Sequence, residues 1–162
     1  MNTQLLIDFL SRLTHVSTAI ALIGGTMFML FVLIPSAEQL SPAEHEKLRG
    51  LINNRWKRFI HLGIVLFLVT GFYNYFRGMA SHKGDGLYHA LIGTKIILAL
   101  VIFFIASELV GRSAKLELIR TSRVYWLRVI VMLAAVVVGF SSFIKVRGIP
   151  AKVEANIVNT EK

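Results

Sequence analysis

A four-helix, all-α membrane bundle of up-down topology is the fold class the sequence predicts, and three observations predict it. Of the 162 residues, 55% are hydrophobic and only 17% charged, which is too apolar for a soluble domain of this length. The apolar residues gather into four runs, each close to or above the about 20 residues that carry a helix across a ~30 Å hydrocarbon core. Lys and Arg concentrate between those runs, where they orient a membrane protein and meet anionic head groups. Lipid leaves only helices and closed barrels able to satisfy the backbone, and these runs are too long and too uniformly apolar for barrel strands. The bilayer is therefore the first partner expected, and the net charge of +9 serves topology, so nucleic acid is not expected. Without cysteine, the chain supplies no disulfide, thiolate metal site or iron–sulfur ligand.

Residues 1–162 read as one integral membrane domain. The opening MNTQLLIDFLSRLTH is uncharged at its start, is interrupted by Asp8 and lacks a small-residue cleavage site, so it is an amphipathic lead-in rather than a secretory signal. The first span covers residues 13–34, and Pro35 should end it, because proline cannot continue a helix with its amide satisfied. His15, Thr18, Leu22, Gly25 and Met29 recur on one face, whose small and polar members let helices approach in lipid. Ser41-Pro42-Ala43-Glu44 supplies a cap, a proline at the first helical position and a first-turn carboxylate, predicting a short surface helix through Leu51.

The second span, 59–76, closes on Tyr73, Asn74 and Tyr75, an aromatic belt at the water boundary. RGMASHKGDG follows as a loop. The third span, 87–110, carries Lys95 about two turns inside its start, where a cation costs roughly 2.5–3.5 kcal/mol unless it snorkels or finds a partner. A helix-compatible basic segment leads to the fourth span, 127–144, and residues 145–162 read as a mobile tail.

Four spans place both termini on one side. Arg12, Arg77, Lys83, Lys145, Arg147, Lys152 and Lys162 share that side, seven in all, against ten Lys and Arg in 47–58 and 112–128. The bias toward the second set puts the two connections in the cytoplasm and both termini outside a cell (inner) membrane. His15, Met79, His82, Tyr88, His89 and Lys95 then fall toward the outer surface. Arg58, His61, Glu108 and Arg128 fall toward the inner one, where a carboxylate between arginines reads as an ion-paired helix terminus. His89 and Lys95 are about 120° apart around a helix. They define two competing inner faces, Lys95 with Tyr88, Ala99, Ile102 and Ala106, and His89 with Gly93, Leu100, Phe104 and Ser107. The lysine face is the one expected inside, since a lipid-facing lysine at that depth costs more than an interfacial histidine.

Arg12-x-x-His15, Gly24-Gly25 followed by Pro35, Arg55-x-x-Arg58-Phe59 before a span with Thr70-Gly71, and Tyr88…Gly93-x-Lys95 together resemble the copper resistance protein D membrane domain. More loosely, they are similar to the HemJ-type protoporphyrinogen oxidases. The likeness covers Arg12 to Leu100. For the HemJ type it maps the first-span histidine to His15 and the third-span lysine to Lys95, while the Asn-Glu-x-Pro-like motif of that group's last span has no counterpart here. No catalytic residue is assigned on this basis.

The resemblance implies copper held or passed through the bundle, with His15, Met27, Met29, Met79 and His82 as the soft thioether and imidazole ligands that suit Cu(I). As the alternative, it implies haem b or another porphyrin, with His15 as axial ligand, Lys95 or Arg12 neutralising a propionate, and Tyr88 and His89 nearby. A third reading is an accessory subunit that packs against other membrane subunits and has no site of its own.

Overall fold

The structure, a computed structural model, describes residues 2–111, 117–148 and 150. Its elements in chain order are α1 (Thr3–Phe28), a π-helical turn (Met29–Leu33), α2 (Ile34–Ala37), α3 (Pro42–Ala80), α4 (Gly86–Val110), α5 (Glu117–Thr121) and α6 (Arg123–Arg147). No strand occurs among the described residues. Four continuous helical stretches, Thr3–Ala37, Pro42–Ala80, Gly86–Val110 and Arg123–Arg147, are long and apolar enough to cross a membrane. They run alternately up and down. α1 packs mainly on α3 and α4 mainly on α6, while α3 with α4 and α1 with α6 close the ring.

Pro35 does not end the first span. The helix widens just before it, so that the Ile34 N–H bonds the Met29 carbonyl five residues back, and the chain continues to Ala37. A proline ring collides with the carbonyl four residues earlier, and one π-type turn shifts the register that would cause the collision. The short surface helix and the second span are likewise one helix, 39 residues long, or ~58 Å at 1.5 Å per residue. The expected capping box opens it, with the Ser41 N–H donating to Glu44 Oε2 at 3.1 Å and Pro42 in the first turn. Polar residues 44–58 interrupt the hydropathy and not the helix. The loop expected from Arg77 starts only after Ala80, and Gly84, at φ 83°, turns the chain toward α4.

The outer surface of the bundle is apolar. Exposure runs from 61% for Leu62 to 71% for Met132, with Ile20, Val69 and Ile97 between, which in water would be untenable and in lipid is the solvent-facing state. Packed apolar side chains, Leu30, Ile60, Ile105, Leu109, Leu127 and Ile130 among them, fill the half of the bundle next to the two connections. The half next to the termini is filled instead by polar groups, and there the candidate site lies. α6 extends through Arg147, so the first residues of the expected tail are helical, while 151–162 lie outside the described residues, as do 112–116 of the basic segment.

Candidate functional site

The face His15, Thr18, Leu22, Gly25 and Met29 is turned inward, none of the five being exposed. Small residues on α3 receive it. A Cβ on Gly63 would lie 2.8 Å from Leu22 Cδ2, one on Gly71 would lie 3.2 Å from His15 Cε1, and one on Gly25 would overlap the Trp56 ring. A side chain at Gly25 would run into the rigid Trp56 ring, while one at Gly63 or Gly71 would press on Leu22 or His15, so glycine at these positions lets α1 and α3 approach closely.

Along the same seam, toward the termini, the contacts become polar. Ser11 Oγ donates to Asn74 Oδ1 at 3.4 Å. Asp8 accepts from Tyr73 Oη at 2.6 Å and from Arg77 through two nitrogens at 3.1 and 2.9 Å, and Gln4 bridges Asp8 and Tyr73. Tyr73 and Asn74, expected as a belt facing the bilayer surface, are half-buried and tie the two helices together. Sequence reading missed this network because its partners stand more than sixty positions apart.

His15 sits at the inner end of this seam. Its Nδ1 lies 3.0 Å from Thr70 Oγ1, and its ring lies 4.0 Å from that of Phe67 at an interplanar angle of 40°. Phe67 is in turn set edge-on to Phe103 of α4, at 5.4 Å. The Thr70 hydroxyl proton is directed to the Leu66 carbonyl at 2.7 Å, so Thr70 Oγ1 has only a lone pair to offer His15. The Phe67 backbone carbonyl is a second acceptor for the ring, and the Thr70 contact favours the tautomer protonated at Nδ1, which carries its lone pair on Nε2.

Lys95 and Arg12 are both close enough for their charges to act on the His15 ring. Lys95 is half-buried, as the lysine face requires, with Tyr88 and Ala106 buried on that face while Leu100 and Phe104 of the histidine face are exposed. Among the described residues no hydrogen bond or ion pair holds Lys95, and none holds Arg12. Imidazole, ammonium and guanidinium thus gather without a carboxylate of their own, because Asp8 is committed to Arg77.

The other expected residues are distributed more widely. Met27 and Met29 lie ~18 and ~21 Å farther along the helix from His15, Met27 exposed and Met29 buried. Met79 is on the last turn of α3. His82 donates Nδ1–H to the Gly78 carbonyl at 2.9 Å and stacks on Tyr88 at 3.8 Å and 8°. His89 meets the edge of Tyr88 at 5.5 Å. Among the described residues no three His, Asp or Glu side chains converge as a metal-holding group.

One neighbouring arrangement was not foreseen. Asp85, 3% exposed, caps α4 by accepting the Tyr88 N–H at 3.1 Å and binds both terminal nitrogens of Arg147 at 3.0 Å. The Arg147 guanidinium holds the Asp85 carboxyl below the usual carboxylate range, against the opposing effect of burial. On the far side, Glu108 does not pair with Arg58 or Arg128, which are exposed. Its Oε2 is buried with no hydrogen-bond partner among the described residues. His61, expected in that group, donates Nδ1–H to the Lys57 carbonyl of its own helix at 2.7 Å. No family model, curated protein or solved structure matches the chain.

Proposed function

We propose that this multi-pass membrane protein holds an iron porphyrin on His15, with Lys95 and Arg12 answering the propionates. One observation carries the reading: Thr70 fixes the His15 ring through Nδ1 and leaves Nε2 free, the arrangement by which a second-shell hydrogen bond sets an axial imidazole. The second support is electrostatic. A half-buried lysine and an exposed arginine beside that ring, with no carboxylate to meet them among the described residues, suit a ligand that brings its own anionic groups. The looser resemblance to the HemJ-type proteins points to the same histidine and lysine. A bound haem would supply one-electron chemistry, while the chain orients the ring and compensates charge. No catalytic role is assigned to any residue.

Copper is a second reading, favoured by Met79 and His82 three positions apart at the end of α3, with His82 Nε2 left free by the bond of Nδ1 to Gly78. An absorption spectrum and metal analysis of the purified protein separate the two. Iron with a Soret band, lost in His15→Ala while the protein remains membrane-inserted, is the expected outcome. Stoichiometric copper without that band would select the second reading, and neither metal nor porphyrin would leave the chain as an accessory subunit.

A further inference from the structure

The connection end of the bundle carries polar groups that the His15 site does not use. There α3 and the end of α4 enclose a cleft of about 250 Å³, with Asn53, Asn54 and Lys57 on one wall and Val110 and Gly111 on the other. It adjoins a shallower hollow of about 560 Å³ along the flank of α3, which adds Arg58 and His61. Arg123 Nη1 donates to Asn53 Oδ1 at 2.9 Å, which leaves the Asn53 amide nitrogen as a donor. Among the described residues, Arg123 Nε and Arg120 Nη1 are buried with no hydrogen-bond partner, a state that is costly to leave unrelieved. Lys57 and Arg58 enter no ion pair among the described residues. The carboxylates at this end do not answer them: Glu46 faces Arg49 at 3.9 Å in the exposed part of α3, and Glu108 is held inside α4's packing.

Depth identifies the occupant. Tyr125 and Trp126, at the start of α6, mark the head-group level, and Phe59 and Leu127 begin the apolar runs just beyond. The hollow extends past Phe59 to His61, the direction in which acyl chains leave a phosphate. The geometry points to a seat for the phosphate of an anionic phospholipid, with Lys57 and Arg58 meeting its charge and the side-chain amides of Asn53 and Asn54 donating to its oxygens. Basic clefts between helices at this level are where such head groups bind. The seat is independent of what His15 holds.

The test is thermal unfolding of the protein in uncharged detergent micelles, titrated with phosphatidylglycerol, phosphatidylcholine or inorganic phosphate. Phosphatidylglycerol should raise the melting temperature saturably and the other two should not. Lys57→Gln and, separately, Arg58→Gln should each weaken the apparent affinity about fivefold. Lys47→Gln, the same charge change at an exposed position outside the cleft, should leave it unchanged. Equal weakening by Lys47→Gln would show diffuse attraction and overturn the seat. A shift produced by inorganic phosphate alone would replace the lipid with a free anion, and no response to phosphatidylglycerol would remove the site.

Discussion

His15 is held from two directions, by the Thr70 hydroxyl at 3.0 Å and by the absence of a side chain at Gly71, where a Cβ would stand 3.2 Å from the ring. Thr70→Val keeps the shape of that contact and removes the acceptor for Nδ1–H. It should weaken retention of the proposed porphyrin by about 10–100-fold, the usual effect of losing a hydrogen-bond partner behind a metal ligand, without lowering the melting temperature of the ligand-free protein comparably. Lys95→Met separates function from stability. It should abolish binding of the proposed porphyrin while leaving the protein inserted and at least as stable, since an unpaired cation has been removed from the bundle. Lys95→Arg should rescue only in part, because a planar guanidinium fork differs from a compact ammonium. Unchanged spectra in Lys95→Met would deny the lysine any part in the site. Asp85 makes a pH prediction. Its carboxyl titrates lower in the folded protein than in the unfolded chain, so the Arg147 pair contributes its full stability above the ordinary carboxylate pKa of about 3.9. That contribution is lost as pH falls through the depressed folded value. Melting temperature measured from pH 6 downward should therefore fall more steeply in the wild type than in Asp85→Asn.

At the scale of the element, the α1–α3 seam sets the geometry. Gly63 admits Leu22 and Gly25 admits Trp56, so Gly63→Leu should force the helices apart. Overpacking of this kind costs about 1–3 kcal/mol, and the loosened seam should carry the His15–Thr70 contact with it. A melting curve together with ligand retention in this variant checks both effects. The inward face of α1 is legible in the sequence because five residues at helical spacing are small, polar or apolar in a pattern lipid would not select. The lysine face of α4 is legible for a related reason, the cost of a cation in hydrocarbon. What pairs with those faces is not legible, since Asp8 with Arg77, Asp85 with Arg147 and Asn53 with Arg123 each join positions more than sixty residues apart. Helix continuity is hidden for a different reason. Residues 44–58 look like a connection because they are polar, yet a helix that protrudes into water has no need of an apolar face, and Pro35 is absorbed by a single π turn.

For the whole molecule, the division into an apolar half and a polar half follows from the same four runs. Their alternating direction brings His15, Arg77, Asp85, Lys95 and Arg147 toward one end and leaves the connection segment 36–58 at the other. Cysteine-accessibility labelling should place residues 36–58 opposite residues 81–84, and labelling of both from one side would break the up-down bundle. The readiness of His15 to act as a ligand is the claim on which the proposed function rests, and ring nitrogen NMR on histidine-labelled, ligand-free protein in detergent tests it most directly. At neutral pH the His15 signals should show a protonated Nδ1 and an unprotonated Nε2, with the preference lost in Thr70→Val. A neutral ring protonated at Nε2, or one indifferent to Thr70, would contradict it.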